Sequence, residues 1–344
     1  MSGSKGLVLL TGANGYVSSR AVEAFLKAGY SVRGTVRSIA ANKALVDALA
    51  QYGDKFTLFE VPDIVVPGAF DEAVKGVDAV AHTATPVAFD FSDPEPVMRD
   101  AVGGILRALE SATKEPKIKS FVFLSSVVAI FSNKEGDYTF TEADWNTEAE
   151  EAVEKLGKDT PGPVIYAASK TAAEKAMWKF RDEQKPSFTL TSINPCFVAG
   201  PPLVVPGSLE KVNIATKSIS DVFAGVPLDK AGLPGTFQGF VDVRDVGRAI
   251  VFAVEHPEKA NNERFILASF YSPQQAVADI LRKAFPEMAH IIDKGTPGEG
   301  YSPDYAFPTH RGFDGTKIVR FSGQQYTPWE QTVIDAAEVF KAIA

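Results

Sequence analysis

Residues 7–19 read Leu-Val-Leu-Leu-Thr-Gly-Ala-Asn-Gly-Tyr-Val-Ser-Ser, and the fold class follows from them. An apolar run at 7–11 leads directly into a turn with glycine at positions 12 and 15, and helical sequence continues to Lys27. Glycine at such a turn permits positive φ and close backbone approach, so a diphosphate can accept hydrogen bonds from the free N–H groups of a helix N-terminus. The stretch therefore predicts a strand–turn–helix unit that binds a dinucleotide.

The spacing of Gly12 and Gly15 is weak evidence by itself, because glycine makes up roughly 7% of an average chain and such pairs arise by chance. The position of the pair carries the weight, since it occupies the first strand-to-helix junction of the chain. Ser18 stands where the usual pattern has a third small residue, and we expect it to pack tightly against the sheet. The residues predicted to bind the cofactor in this loop are Thr11, Gly12, Asn14, Gly15, Tyr16 and Val17.

Short apolar runs alternate with longer amphipathic stretches through the first 195 residues, which is typical of βαβ units that build a parallel sheet. Six strands are predicted, each separated from the next by helical sequence, at residues 7–11, 31–36, 56–60, 79–82, 120–125 and 189–194. Right-handed crossovers make the expected fold an α/β, doubly wound parallel sheet of the Rossmann type.

The end of the second strand indicates which dinucleotide binds. An Asp or Glu at this point would hydrogen-bond the ribose 2′-hydroxyl of NAD, but no acidic residue occurs between Ser31 and Asp47. Arg37 instead follows the strand, and Lys43 lies nearby. An arginine can hold a 2′-phosphate with two parallel hydrogen bonds, which favours NADPH and NADP+ as the cofactor; the alternative is a solvated arginine on a loop.

Proline and glycine crowd together after Asn194 and the strand–helix alternation stops, which indicates a lobe boundary. Residues 1–195 are therefore predicted to form an NADP-binding Rossmann domain. A strand and helix at 237–254 are predicted to return to its sheet, within residues 236–262. Residues 196–235 and 263–344 are predicted to form a smaller C-terminal, substrate-binding lobe.

A tyrosine and a lysine four residues apart, Tyr166 and Lys170, open the helical sequence before the sixth strand. This spacing places phenol and ammonium on one helix face, where the cation favours the phenolate and lowers the tyrosine pKa. General acid–base catalysis near neutral pH then becomes feasible. The pattern alone is unspecific and also suits an exposed helix pair, although Tyr166 is the only one of nine tyrosines with lysine at i+4.

Two hydroxyl groups, Ser125 and Ser126, stand at the end of the fifth predicted strand. Ligands of open α/β sheets bind at this carboxyl edge, so one hydroxyl can donate a hydrogen bond to a substrate carbonyl beside the phenol. A pair of serines after a strand more often forms a loop or cap. The argument for a catalytic role is therefore the location of these serines at the carboxyl edge of the sheet.

Composition excludes other classes of function. The 344-residue chain has a formal net charge of -8, whereas binding to nucleic acid or an anionic membrane requires clustered lysine and arginine. No stretch approaches the roughly 20 apolar residues of a membrane-spanning helix, and the N-terminus lacks the features of a secretory signal, so a cytoplasmic location is expected. The single cysteine, Cys196, suits a reducing compartment. No metal site is expected, because the four histidines are scattered at His82, His256, His290 and His310.

Taken in order, the motifs resemble the extended short-chain dehydrogenase/reductase family, and within it the dihydroflavonol-reductase-like branch that includes yeast and fungal aldehyde reductases. The likeness covers nearly the whole chain. The matching motifs are Leu-Thr-Gly-Ala-Asn-Gly at 10–15, Val-Arg-Gly-Thr-Val-Arg at 32–37, Ala-His-Thr-Ala-Thr-Pro at 81–86, Asp-Trp-Asn at 144–146, Tyr-Ala-Ala-Ser-Lys-Thr at 166–171 and Phe-Val-Asp-Val-Arg-Asp-Val at 240–246. The resemblance implies an NADPH-dependent carbonyl or aldehyde reductase.

The resemblance also implies roles for individual residues. Ser126 would orient the carbonyl, Tyr166 would donate the proton, and Lys170 would bind the nicotinamide ribose while lowering the tyrosine pKa. The further cofactor contacts that it implies are Asp63 and Ile64 at the adenine, Thr83, Ala84 and Thr85 beside the phosphate loop, and Pro195, Phe197 and Val198 along the nicotinamide.

An apolar substrate pocket is predicted from Phe89, Val128, Phe131 and Phe197. Plant flavonoid reductases carry an asparagine five residues beyond the catalytic serine, where this chain has Phe131, so a polyphenol substrate is not expected. The predicted substrate is a small, hydrophobic aldehyde or ketone. Monomer and homodimer both remain open.

Two other functions are weighed against this one. A sugar-nucleotide epimerase or dehydratase of the same family would need basic residues to hold the substrate diphosphate, but residues 196–243 contain no arginine. A non-catalytic NADP-binding regulator would keep the phosphate loop and lose the serine, tyrosine and lysine, which are all present.

Overall fold

The computed structural model describes residues 4–232, 239–309 and 311–343. Its strands are β1 (Leu7–Thr11), β2 (Ser31–Val36), β3 (Phe56–Glu60), β4 (Ala79–His82), β5 (Ser120–Leu124), β6 (Thr139–Phe140), β7 (Thr189–Pro195), β8 (Phe197–Ala199), β9 (Gly239–Asp242), β10 (Glu263–Leu267), β11 (Phe270–Tyr271) and β12 (Gly312–Phe313). Its α-helices are α1 (Tyr16–Lys27), α2 (Lys43–Ala48), α3 (Pro94–Ala112), α4 (Thr147–Leu156), α5 (Gly162–Gln184), α6 (Lys217–Phe223), α7 (Val243–Glu255), α8 (Pro257–Ala260), α9 (Gln274–Ala284), α10 (Thr316–Ser322) and α11 (Trp329–Lys341).

Seven parallel strands form the central sheet, in the order β10-β7-β5-β4-β1-β2-β3. The chain builds outward from β1 to β3, then returns to β4 on the other side of β1, so the winding direction reverses between β1 and β4. Ligands of doubly wound sheets bind at the carboxyl ends of the strands beside such a reversal. The predicted α/β, doubly wound fold is confirmed, and all six predicted strands are present to within one residue at their ends.

Helices cover both faces of this sheet. On one face, α1 and α7 bury Phe25 and Ile250 against the strands, and on the other α3 and α5 bury Leu109 and Met177. A separate core around Trp329 joins α6, α9 and α11. Among the described residues, no helix combines the length and the apolar character that crossing a bilayer requires.

The connection between β3 and β4 differs from the prediction of helical sequence between all neighbouring strands. Residues 61–78 form bends and turns. Pro62 and Pro67 supply no backbone N–H for a helix, and Gly68 and Gly76 both have positive φ, so the segment cannot continue as a helix. Phe70 nevertheless fills the core, because a turn can bury one large side chain against the sheet.

The region after residue 195 also differs from the expected boundaries. β9 does not join the central sheet as predicted, since it pairs with β8 and β11 in a separate three-stranded sheet; only α7 returns, packing on α1. The predicted start of this strand, residue 237, lies outside the described residues. Residues 263–267, expected in the C-terminal lobe, form β10 at the edge of the central sheet, because their apolar side chains are buried beside β7.

Candidate active site

Glycine is required where the loop after β1 approaches its neighbours. Gly12 has a φ of +66°, and a Cβ there would lie 3.1 Å from the Cα of Ala84, which follows β4. The Ala13 N–H donates a 2.9 Å hydrogen bond to the Thr35 carbonyl of β2. Gly34 makes this approach possible, because a Cβ at position 34 would lie 2.6 Å from that of Ala13. The loop is therefore held close to both neighbouring strands.

The N-terminus of α1 suits a phosphate group. Gly15 precedes the helix in an extended conformation, and no side chain caps the first turn. Uncapped N–H groups at the positive end of a helix dipole attract anions, and an exposed glycine leaves room for them. The residues present thus fit the diphosphate of a dinucleotide.

Ser18, in the third position of the loop pattern, has a hydrogen-bonding role beyond the expected packing. Its hydroxyl lies 2.8 Å from the Thr83 hydroxyl, which in turn donates to the Thr11 carbonyl. Because the Thr83 proton is used in this way, Ser18 must donate to Thr83. The first turn of α1 is thereby connected to the segment that follows β4, and the predicted residues Thr11, Thr83 and Ala84 lie together.

Tyr16 and Arg20 connect α1 to the loop after β8. The Tyr16 hydroxyl donates to the Gly200 carbonyl at 2.9 Å, and burial raises the pKa of this phenol well above its ordinary value. Arg20 donates to the carbonyls of Pro201 at 2.9 Å and Pro202 at 3.1 Å. Arg20 was not predicted from the sequence, where its only signal is a polar side chain one turn into the phosphate-binding helix.

The predicted 2′-phosphate site lies at the end of β2. Arg37 is exposed and makes no ion pair with any described residue, whereas Lys43 pairs with Asp47 on the helix surface at 2.6 Å. Glu60, at the end of the adjacent β3, accepts a 2.7 Å hydrogen bond from the Ile39 N–H. Glu60 was not predicted as part of this site, because it belongs to β3 and only sheet pairing places it next to Val36 of β2.

The predicted adenine contacts lie in the turn after β3. Asp63 is exposed, and its carboxylate accepts a 2.9 Å hydrogen bond from the Val65 N–H. Ile64 packs on α3, where Gly104 provides the space: a Cβ at position 104 would lie 2.8 Å from Ile64 Cδ1. The Asp63 carboxylate is thus oriented by a hydrogen bond within its own loop, and part of the Ile64 side chain packs against α3.

Ser126, Tyr166 and Lys170 come together at the carboxyl edge of the sheet. Ser126 follows β5 and its hydroxyl lies beside the Tyr166 phenol, which projects from the first turns of α5. One helical turn later, the Lys170 ammonium donates to the Thr85 hydroxyl at 2.6 Å and to the Leu124 carbonyl at 3.1 Å. All three predicted catalytic side chains are buried.

The pKa of Tyr166 differs from the expectation. Burial raises it to about 12, and the only opposing effect is the hydrogen bond from Ser126. The predicted lowering by Lys170 is absent. Burial lowers the pKa of Lys170 itself to about 7, against the attraction of Glu174, and the ammonium is directed to Thr85 and the Leu124 carbonyl.

A buried carboxylate, Glu174, lies one turn beyond Lys170 and was missed by the sequence analysis. It accepts hydrogen bonds from the Ser125 hydroxyl at 2.6 Å and from Asn194 Nδ2 at 2.8 Å, and it pairs with Arg264 Nε at 2.6 Å. The signal was available in the spacing, because an acid at i+4 from the lysine falls on the same buried helix face.

Aromatic side chains border the catalytic tyrosine. The ring of Phe89 stands edge-on to that of Tyr166 at 5.5 Å and contacts Phe197 at 6.3 Å, and Val128 packs against the start of α5. Phe131 lies in a different cluster, with its ring centroid 5.2 Å from that of Phe140. The structure therefore brings Phe89 and Phe197 to the tyrosine and directs Phe131 towards the small sheet of β6 and β12.

The segment 195–198 runs from β7 into β8. The Pro195 carbonyl lies 3.5 Å from the Ser126 hydroxyl, and Val198 is buried. Cys196 packs with Val127, and burial raises the pKa of its thiol. This environment makes it a packing residue. Among the described residues, no cluster of three or more His, Cys, Asp or Glu side chains could hold a metal ion.

A parallel doubly wound sheet that carries a phosphate-binding loop and a Ser-Tyr-Lys cluster is typical of dinucleotide-dependent oxidoreductases with an α/β fold. The chain matches the family model described as the NAD dependent epimerase/dehydratase family over residues 8–268. It belongs to this family, the extended short-chain dehydrogenases/reductases.

Among its relatives, the NADPH-dependent methylglyoxal reductase of Saccharomyces cerevisiae is 32% identical over 343 residues, which are 96% of each chain. Aldehyde reductase 2 of Sporidiobolus salmonicolor is 43% identical over 200 residues, 56% of this chain and 58% of that protein. The crystal structure of the yeast methylglyoxal/isovaleraldehyde reductase complexed with NADPH is 31% identical, with a TM-score of 0.86 and 98% of both chains covered.

Proposed function

We propose that this protein is an NADPH-dependent carbonyl reductase, which reduces a hydrophobic aldehyde or ketone to the alcohol. The observation that carries the proposal is the assembly of Ser126, Tyr166 and Lys170 beside the phosphate-binding loop, at the edge where the winding of the sheet reverses. The reductases among the relatives support it over the epimerase, which belongs to the same family, and the presence of Ser126, Tyr166 and Lys170 supports it over the regulator.

Bound NADPH supplies the hydride. Ser126 donates a hydrogen bond to the substrate carbonyl oxygen, and Tyr166 transfers its proton to that oxygen as negative charge develops. With a pKa of about 12 the phenol keeps its proton at neutral pH, and it can donate that proton to an alkoxide, which is the stronger base. Lys170, fixed by Thr85 and Leu124, presents its remaining ammonium proton to the ribose of the cofactor.

Cofactor selection depends on Arg37. Its guanidinium, which pairs with no acid among the described residues, would hold the 2′-phosphate, and Lys43 would add a weaker attraction because Asp47 already neutralises it in part. Asp63 and Ile64 border the adenine. Pro195, whose carbonyl lies near the Ser126 hydroxyl, would border the nicotinamide together with Phe197 and Val198.

The substrate pocket is apolar, with Phe89 and Phe197 at its wall and Val128 near the serine. Phe131 contributes at the margin, where its ring meets the cluster around Phe140. Such walls select uncharged carbonyl compounds, and no fixed cation is proposed to hold a carboxylate. We place the enzyme in the cytoplasm, as a monomer or homodimer.

The test is NADPH oxidation by purified protein with a panel of aldehydes and ketones. Turnover with an apolar carbonyl compound, lost in Tyr166→Phe, supports the proposal. Turnover of a nucleotide sugar without net cofactor oxidation would indicate the epimerase. NADPH binding without turnover of any carbonyl compound would indicate the regulator.

A further inference from the structure

His82, the last residue of β4, is fully buried beneath the phosphate loop and takes no part in the proposed chemistry. Its Nδ1 lies 3.0 Å from the hydroxyl of Thr11, the residue opposite it at the end of β1. Its Nε2 has no hydrogen-bond partner among the described residues. One nitrogen of the ring is thus used and the other is not.

The hydrogen bonds around Thr11 determine which nitrogen carries the proton. The N–H groups of Thr83 and Ala84 both donate to the Thr11 hydroxyl oxygen, at 3.0 and 3.1 Å. A hydroxyl oxygen has two lone pairs and one proton, so Thr11 must use its proton as a donor. His82 Nδ1 is the acceptor within reach, and a neutral imidazole that accepts at Nδ1 carries its proton at Nε2.

The surroundings keep the ring neutral. Phe121 and Phe123 lie roughly parallel to it, with centroids 6.2 and 6.0 Å away, and Phe70 stands edge-on. Burial, with a smaller effect from the Lys170 charge, lowers the pKa of His82 to about 3. No carboxylate is among the groups that shift it. An imidazolium would also direct a third N–H at the Thr11 hydroxyl oxygen, whose two lone pairs already accept from Thr83 and Ala84.

An unpartnered buried N–H destabilises the fold. A leucine or phenylalanine would avoid this cost in the same aromatic surroundings. A histidine at this position is explained if the site requires the acceptor Nδ1. An apolar side chain would leave the Thr11 hydroxyl proton without an acceptor. The hydroxyl would then be free to rotate away from Thr83 and Ala84.

We infer that His82 is a positioning residue for the cofactor site, fixing the Thr11 hydroxyl so that the loops after β1 and β4 are held together on the two sides of the cleft. Its influence extends to Thr85, the next residue of the second loop, which accepts the hydrogen bond of Lys170. The inference rests on the proposed function only for the identity of the ligand in the cleft, NADPH. The hydrogen-bond assignment itself is independent of it.

The assignment is tested in the cofactor-free protein by long-range proton–nitrogen NMR correlation with ¹⁵N-labelled histidine. His82→Asn identifies the signal by its loss. We expect an Nε2-protonated, Nδ1-unprotonated ring that stays neutral from pH 8 to pH 5. A proton on Nδ1, or an imidazolium in this range, would overturn the inference.

The consequence is tested by NADPH binding to His82→Phe, Thr11→Val and the double variant. Each single change should weaken binding about tenfold, the scale of one hydrogen bond, and the double variant should bind no worse than the weaker single variant. His82→Asn, whose amide oxygen can replace Nδ1 as acceptor, should recover most of the affinity. His256→Asn, at a half-exposed histidine, is the matched control.

Wild-type affinity in His82→Phe, or additive losses in the double variant, would show that His82 does not act through Thr11. If His82→Phe does not fold, the tautomer of the wild-type ring and the affinity of Thr11→Val still decide the matter. Failure of the wild-type protein to bind NADPH would instead contradict the proposed function, because the tautomer is measured without cofactor.

Discussion

The carboxylate of Glu174 lies 2.6 Å from Arg264 Nε, and both side chains are almost completely buried. Glu174 belongs to α5, which carries Tyr166 and Lys170, whereas Arg264 belongs to β10 at the edge of the central sheet. Ser125, Ser192 and Asn194 also donate hydrogen bonds to Glu174. The buried carboxylate thus connects the catalytic helix to β10, to β7 and to the end of β5, so the position of the catalytic side chains depends on it.

Glu174→Ala should therefore destabilise the protein by about 3–5 kcal/mol, because the buried Arg264 charge loses its partner. Urea denaturation measures this free energy of unfolding. Glu183→Ala on the same helix is the control, since its pair with Lys179 is exposed and 3.8 Å long, and a change within about 0.5 kcal/mol is expected. Equal losses in the two variants would contradict the structural role of Glu174.

Tyr166→Phe should lower kcat by at least about 100-fold, because the proton donor is lost while most of the ring packing remains. The dissociation constant for NADPH should change little. Single-turnover measurement of hydride transfer is the check, together with NADPH titration. A wild-type rate under conditions where hydride transfer is rate-limiting would remove Tyr166 from the mechanism.

Lys170 should make the free energy of unfolding depend on pH. Its pKa is about 7 in the folded protein against an ordinary 10.5, so between these values the unfolded chain binds the proton that the folded one has released. Stability contributed by Lys170 therefore rises with pH over this window, by at most about 1.4 kcal/mol per pH unit.

Urea denaturation of wild type and Lys170→Met from pH 7 to pH 10 isolates this slope from the other groups that titrate there. The wild-type curve should rise relative to that of the variant. Lys179→Met, at an exposed lysine of the same helix, should run parallel to wild type. Parallel curves for Lys170→Met would mean that the folded protein keeps this lysine charged.

Arg37→Ala should cost about 1.5–3 kcal/mol in NADPH affinity and little in NADH affinity, because charge-assisted hydrogen bonds to the 2′-phosphate are lost. Lys43→Ala should cost less, since Asp47 already pairs with the lysine. Fluorescence titration with both cofactors measures the difference. Equal losses with NADPH and NADH would indicate damage to the fold and exclude Arg37 from the site.

Selectivity among aldehydes should follow hydrophobicity. Each methylene that leaves water contributes about 0.8 kcal/mol, so kcat/KM should rise several-fold per carbon until the pocket is full. Branched and aromatic carbonyl compounds should exceed glyoxylate and pyruvate. A homologous aldehyde series measured beside these two acids provides the test, and a preference for the acids would contradict the apolar pocket.

Phe131→Asn tests the margin of that pocket. It should weaken apolar substrates and leave NADPH binding nearly unchanged. Because the Phe131 ring also packs near Phe140, the variant should lose stability as well, so unfolding is measured in parallel. A proportional loss of cofactor affinity would mean that Phe131 supports the fold and does not line the pocket.

Features that depend on local pattern were predictable from the sequence. Six strands of the central sheet between Leu7 and Pro195, the glycine turn at Gly12 and Gly15, and the helix face shared by Tyr166 and Lys170 were predicted, because backbone periodicity and glycine geometry act over a few residues. The resemblance to reductases rested on the same short segments.

Contacts between distant segments of the chain became known from the three-dimensional structure. The pairing of β10 with β7, the contact of His82 with Thr11 and the burial of Glu174 beside Arg264 each join residues far apart in the chain. Burial also set the direction of the Tyr166 pKa, against the expectation from the nearby lysine. The physical reason is that desolvation and hydrogen-bond partners depend on the neighbours that folding supplies, which no local pattern specifies.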